Sequence, residues 1–126
     1  MKKSILFLAI FLFSSILIAK DSDIKIIELS LKDEYVLIQN TGSENIDMSG
    51  WTLTDRHEKH TYTLYDFTLP VGRVLQMQSG DKRFRIGKLK EADYYKLWTK
   101  RNVWNNTGDT AFLYDDKENL VAKFSR

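Results

Sequence analysis

From Asp21 onward the chain repeats one short unit: a β-branched or aromatic run with apolar residues on alternate positions, closed by polar residues or glycine. The runs cover 24–31, 34–41, 51–55, 61–69, 73–78, 110–114 and 120–125. The second meets the turn Asn40-Thr41-Gly42-Ser43, the fourth ends in Pro70-Val71-Gly72, and the fifth stops at Ser79-Gly80. Asp115-Asp116-Lys117-Glu118-Asn119 separates the last two. A period of two belongs to strands whose faces meet different surroundings, so the pattern predicts an all-β sandwich with little helix.

The same period assigns the faces. Val36 and Ile38, Trp51 and Leu53, Phe67 and Leu69, Leu75 and Met77, Ala111 and Leu113, and Ala122 and Phe124 form the predicted core. Tyr35, Leu37, Tyr62, Phe112 and Tyr114 fall on the opposite faces, where cover by loops is expected.

The opening differs. Lys2 and Lys3 precede an apolar stretch over 5–13, then two serines, Ile16 to Ile18 and Ala19. That is the pattern of a secretory signal peptide, and the apolar part falls short of the roughly 20 residues that span a bilayer. The expectation is export, secreted or periplasmic, with residues 1–19 removed and 20–126 forming one domain. Leu17 fits the small-residue cleavage rule poorly. A membrane would be reached only through an uncleaved leader.

Charge changes little. The 126 residues hold 19 basic and 17 acidic side chains, and Lys2 and Lys3 are the only charges before Lys20, so the rest is neutral. The chain has no cysteine, which excludes disulfides, thiolate zinc sites, a cysteine nucleophile and a lipoprotein anchor.

Four stretches, in order, resemble the signatures of the lamin tail domain family. They are Glu34-Tyr35-Val36-Leu37-Ile38-Gln39-Asn40-Thr41-Gly42, Ile46-Asp47-Met48-Ser49-Gly50-Trp51-Thr52-Leu53-Thr54-Asp55, Phe67-Thr68-Leu69-Pro70-Val71-Gly72 and Trp104-Asn105-Asn106-Thr107-Gly108-Asp109-Thr110-Ala111-Phe112-Leu113-Tyr114-Asp115. The resemblance implies an immunoglobulin-like sandwich. It also implies the company of nuclear lamins and of exported bacterial proteins, where such modules bind or target and are sometimes attached to nucleases or other hydrolases. Where the family often carries an acidic residue this chain has Leu37, so that face is either covered or adhesive.

Each signature has its own physical sense. Asn40 can cap backbone ahead of Gly42, which is free to take a positive φ. Trp51 is a large anchor beside Ile46 and Met48, with Gly50 leaving room for the indole. Asn106, Gly108 and Asp109 belong to a turn whose amides and carboxylate can satisfy unpaired N–H groups, a structural rather than catalytic role.

Catalytic chemistry is sparse. His57 and His60 are the only histidines, three apart rather than four as in the HExxH zinc pattern, with Asp55 and Glu58 as further oxygen donors. They support an alternative reading as a metal-dependent hydrolase or nuclease. No serine elbow is visible, the carboxylates of 115–118 read as turn formers, and no cofactor motif is present.

The remaining signal is 82–104. Lys82, Arg83, Arg85, Lys88, Lys90, Lys96, Lys100 and Arg101 stand against Glu91 and Asp93, a net charge of +6. Phe84, Tyr94, Tyr95, Trp98 and Trp104 are interleaved, and 91–98 is compatible with about two helical turns. Cations beside flat aromatic faces suit phosphates and stacked bases, acidic glycans or lipid headgroups. The alternative is that the aromatics cap the end of the sandwich under lysine stems. The expectation is a non-enzymatic interaction module that contacts a polyanion, nucleic acid among them, or a protein partner through Lys82, Arg83, Arg85, Tyr94, Tyr95, Lys96, Trp98, Lys100, Arg101 and Trp104. A self-assembling structural protein, pairing through strand edges and the Leu37 face, is a further alternative.

Overall fold

The computed structural model describes residues 23–80 and 92–126. The leader and Lys82, Arg83, Arg85, Lys88 and Lys90 lie outside the described residues.

Alternation produces strands where it was expected. Ile24–Ser30 (β1), Tyr35–Asn40 (β2), Thr52–Thr54 (β4), Val74–Ser79 (β7), Thr110–Tyr114 (β9) and Leu120–Ser125 (β10) match six of the runs to within a residue or two. The 61–69 run is not one strand. It breaks into Thr61–Thr63 (β5) and Thr68–Leu69 (β6), which join different sheets, with Asp66 at φ 45° in the corner. Ile46–Asp47 (β3) pairs with β6, and Tyr94–Thr99 (β8) is the last strand to name.

Tyr94–Thr99 is therefore a strand, and not the helical turns with which 91–98 is compatible. Tyr94-Tyr95-Lys96-Leu97-Trp98-Thr99 is rich in aromatic residues that fit a pleated surface, and it lies parallel to β7. One sheet runs β1-β2-β7-β8 and the other β10-β9-β4-β5; among the described residues every pairing except β7–β8 is antiparallel. The architecture is an immunoglobulin-like β-sandwich.

The core is the one alternation assigns. Val36, Ile38, Trp51, Leu53, Phe67, Leu69, Leu75, Met77, Ala111 and Leu113 are buried, and Ala122 and Phe124 pack against them half-buried. Fully burying one such aliphatic side chain is worth about 1.5–3 kcal/mol. Ile24, Ile26 and Leu29 join from β1. Their uneven spacing fits one face because a bulge lies between Ile26 and Glu28.

The outward faces are covered to different degrees. Leu37 is 7% exposed, so it offers no adhesive face for self-assembly. Gln76 and Gln78, also directed away from the core, are buried as well, with Gln76 Nε2 donating to Gln78 Oε1 at 2.8 Å. Tyr35, Tyr62, Phe112 and Tyr114 are half-buried, the last two with rings stacked at 6.4 Å.

The sandwich is closed on one side and open on the other. On the closed side β1 packs along β10, and Arg126 Nη2 donates to Glu28 Oε1 at 2.5 Å while its Nε donates to the Leu29 carbonyl at 3.3 Å. On the other side the edge strands β5 and β8 are bridged by Tyr62 and Trp98, whose rings lie 6.2 Å apart.

Candidate functional site

The strand that borders the open side, β8, is fixed at both ends. At its start Asp93 Oδ2 accepts the Val74 N–H at 2.9 Å, and the Asp93 N–H donates to the Val74 carbonyl at 2.9 Å. Just past its end the Gly80 N–H is shared between the carbonyls of Thr99 and Arg101, at 3.1 and 2.9 Å. The next residues are held by Glu34. Its carboxylate is buried and accepts from Val103 N at 2.6 Å, Ser79 Oγ at 2.8 Å and Trp104 N at 3.0 Å. Glu34 itself sits at φ 61°, a left-handed torsion that a glutamate adopts only at a cost.

This framework divides the basic and aromatic candidates. Trp104 is 3% exposed and belongs to the core, edge-on to Trp98 at 5.7 Å, so its indole offers a partner almost no surface. The reason is Glu34, which pulls the backbone of 103 and 104 inward. Tyr94 lies edge-on to Phe67 at 5.5 Å, and Lys96 holds its ammonium 4.9 Å from the same ring. Tyr94 and Lys96 thus pack on Phe67 at the side of the sandwich, as the capping alternative has it, with Tyr94 still 37% exposed. Tyr95 is half-buried and has an interaction of its own. Lys100 and Arg101 are exposed.

What remains outward-facing gathers around an open groove of about 500 Å³ between the two edge strands. Tyr62, Tyr65 and Trp98 supply aromatic surface, with Tyr65 71% exposed, and Arg101 and His60 supply positive or ionisable groups. Tyr62, Tyr65 and His60 were not foreseen as parts of this surface. They come from β5 and its flanks, far from β8 in the chain.

His60 also lines a second cleft, of about 300 Å³, between the 3₁₀ turn Arg56–Glu58 and the turn before β9. Here the histidine loop is ordered by two buried carboxylates. Asp55 Oδ1 accepts the His60 N–H at 2.8 Å, and its Oδ2 lies 2.7 Å from His60 Nδ1, which therefore donates to it. Asp109 Oδ1 accepts from Arg56 N at 3.0 Å and Thr110 N at 2.8 Å, and Oδ2 from Asn105 N at 2.9 Å. Asp109 is thus the structural acceptor it was expected to be. Among the described residues no three His, Asp or Glu side chains come close enough together to share a metal ion.

The other signature residues also show their roles. Asn40 Nδ2 donates to the carbonyls of Glu44 and Leu69, at 2.8 and 2.9 Å, and its Oδ1 accepts the Gly42 N–H at 3.0 Å. Gly42 is not at positive φ. It is needed for space, since a Cβ there would come within 2.5 Å of Asp23 Oδ2. Gly50 is the torsional case, at φ 85°, with its N–H donating to Leu64 O at 2.8 Å just before the buried Trp51. Pro70 and Gly72 form the turn into β7, closed by Arg73 N donating to Pro70 O at 3.1 Å and tied back by Gly72 N to Asn40 O at 2.8 Å. In the turn before β9 it is Asn105, not the exposed Asn106, that caps: its Oδ1 accepts from Thr107 N at 3.0 Å and Thr107 Oγ1 at 2.8 Å.

Two four-stranded sheets with these pinned turns define an immunoglobulin-like module with an accessible edge. The family model of the Lamin Tail Domain matches residues 18–126, and the chain belongs to that family. No curated protein matches it at a significant level.

Proposed function

We propose that the protein is an exported, non-enzymatic binding module that holds an acidic polymer along the open β5–β8 side. The observation that carries this reading is the groove between those strands, walled by Tyr62, Tyr65 and Trp98 and flanked by Arg101, with Lys100 exposed beside it. Aromatic walls with cations at the rim hold a charged chain by stacking and by counterion release, and neither needs a reactive centre. The leader pattern of residues 1–19 supports export. The hydrolase alternative is weaker, because Asp55 and His60 are bonded to one another and the described residues offer no third ligand for a metal.

Fluorescence anisotropy with a single-stranded oligonucleotide and with a sulfated glycan, across a salt series, tests the proposal. Binding should weaken as salt rises. In Lys100→Gln/Arg101→Gln the dependence of log K on log salt should become shallower by about 1.4, two phosphate contacts at roughly 0.7 each. Salt-independent affinity, or an affinity the double variant leaves unchanged, overturns it; capture of a neutral protein strand at the β8 edge would be such a result.

A further inference from the structure

The cleft beside the histidine loop has a composition the groove does not explain. Arg56, His57, Lys59 and His60 all line it, four basic or ionisable side chains within five consecutive residues. In most surface loops such a concentration is offset by neighbouring carboxylates. Here Glu58 of the same loop lines a different hollow, beside Thr61 and Tyr114, and the two carboxylates that share the cleft, Asp55 and Asp109, are each held by hydrogen bonds. Asp109 spends both oxygens on three backbone N–H groups, and Asp55 is bonded to the backbone and ring of His60. Among the described residues Arg56, His57 and Lys59 have no ion pair.

The backbone is shaped to this end. His57 and Glu58 take left-handed torsions, φ 67° and 53°, which curl the loop so that consecutive basic residues line one cleft instead of alternating outward. Across the cleft Gly108 presents bare backbone. A Cβ built there would lie 3.8 Å from Arg56 Nη2, so the guanidinium of this exposed arginine passes close to the glycine. Asp55 holds the Nδ1–H of His60, which leaves Nε2 as the imidazole's free nitrogen.

We infer that this cleft is a binding site for a single oxyanion group, a phosphate or sulfate, held by Arg56 and Lys59 beside the imidazoles of His57 and His60. A planar guanidinium and an ammonium supplied by one loop match the several acceptor oxygens of such a group, and bonds of this kind are the stronger, charge-assisted ones. The site stands apart from polymer binding in the β5–β8 groove, although His60 borders both and the two can serve one ligand with a terminal phosphate.

The test is a titration of the protein with inorganic phosphate, and separately with sulfate, followed by NMR signals of the His57 and His60 rings and the Arg56 Nε–H. Sodium chloride at matched ionic strength is the control. The three groups should shift together along one saturating curve in the millimolar range, and chloride should not reproduce it. Arg56→Gln should weaken phosphate binding about tenfold, Lys59→Gln should weaken it as well, and Lys123→Gln, on β10, should leave it unchanged. Equal shifts under chloride, absence of saturation, or unchanged affinity in both Arg56→Gln and Lys59→Gln overturn the inference. If phosphate saturates while oligonucleotide and glycan fail to bind, the cleft stands and the polymer reading falls; the reverse outcome separates them the other way.

Discussion

Replacing Glu34 by Gln isolates the interaction that places the end of β8 and the core tryptophan after it. The two side chains have nearly the same shape, and the left-handed torsion at 34 is retained, so the change is confined to charge and hydrogen bonding. The carboxylate receives three donors, Val103 N and Ser79 Oγ on one oxygen and Trp104 N on the other. A carboxamide offers one acceptor oxygen. Whichever way it turns, its NH₂ faces a backbone N–H, leaving at least one buried donor unmet at about 1–3 kcal/mol, while the surviving bonds lose their charge assistance. Relief from burying an anion offsets part of this, for a net loss of about 2–3 kcal/mol. At about 4–8 °C per kcal/mol for a domain of this size, the midpoint of thermal unfolding should fall by about 10–20 °C. Urea unfolding followed by tryptophan fluorescence reads the same quantity directly. A loss below about 0.5 kcal/mol, the range of an ordinary surface change, would refute the reasoning and make the carboxylate incidental to the fold.

Gly42→Ala should cost about 1–2 kcal/mol in urea unfolding by pushing Asp23 from the turn, and in an Asp23→Gly background most of that cost should vanish, because the Cβ and carboxylate it collides with are gone. Asp115 contributes to acid sensitivity. Burial alone pushes its carboxyl upward, but bonds from the Asn119 backbone and side chain and the Lys117 backbone, with the Lys117 charge, hold it below the ordinary 3.8. Its folded pKa is thus lower than its unfolded one, so its stabilisation is complete above the unfolded value and fades as pH falls through the folded one. The stability curves of the protein and of Asp115→Asn should therefore separate near neutrality and converge in strong acid. Glu28, held down by its bond to Arg126, has the same sign, and charge reversal at Arg126 should remove that part of the acid dependence.

The sandwich was legible because alternation survives wherever one strand face meets the core, and six strands follow it closely. It failed where the chain turns a corner. The 61–69 run keeps its apolar character through Leu64 and Phe67, both buried, while changing sheets at Asp66. It failed again at β8, whose aromatic and charged residues alternate without a clear apolar face because an edge strand at an open side is buried on neither face in full. Trp104 looked like a contact residue beside so many cations, and the carboxylate that draws it inward lies seventy positions earlier in the chain. The groove and the cleft were hidden for the same reason: each joins residues of the 55–65 region to residues beyond 98 or 103, an adjacency that only the packing of two sheets creates.

The parallel β7–β8 pairing also shapes how the molecule assembles. A hairpin closes locally, but β8 reaches β7 only after the chain has returned to the end of the sheet where β7 began, so its contacts repay their loop entropy late. Six strands can associate by neighbouring turns before that happens. In pulse-labelled hydrogen exchange during refolding, the amides of β8 should be protected after those of the hairpins, a hem fastened last on an otherwise cooperative unit.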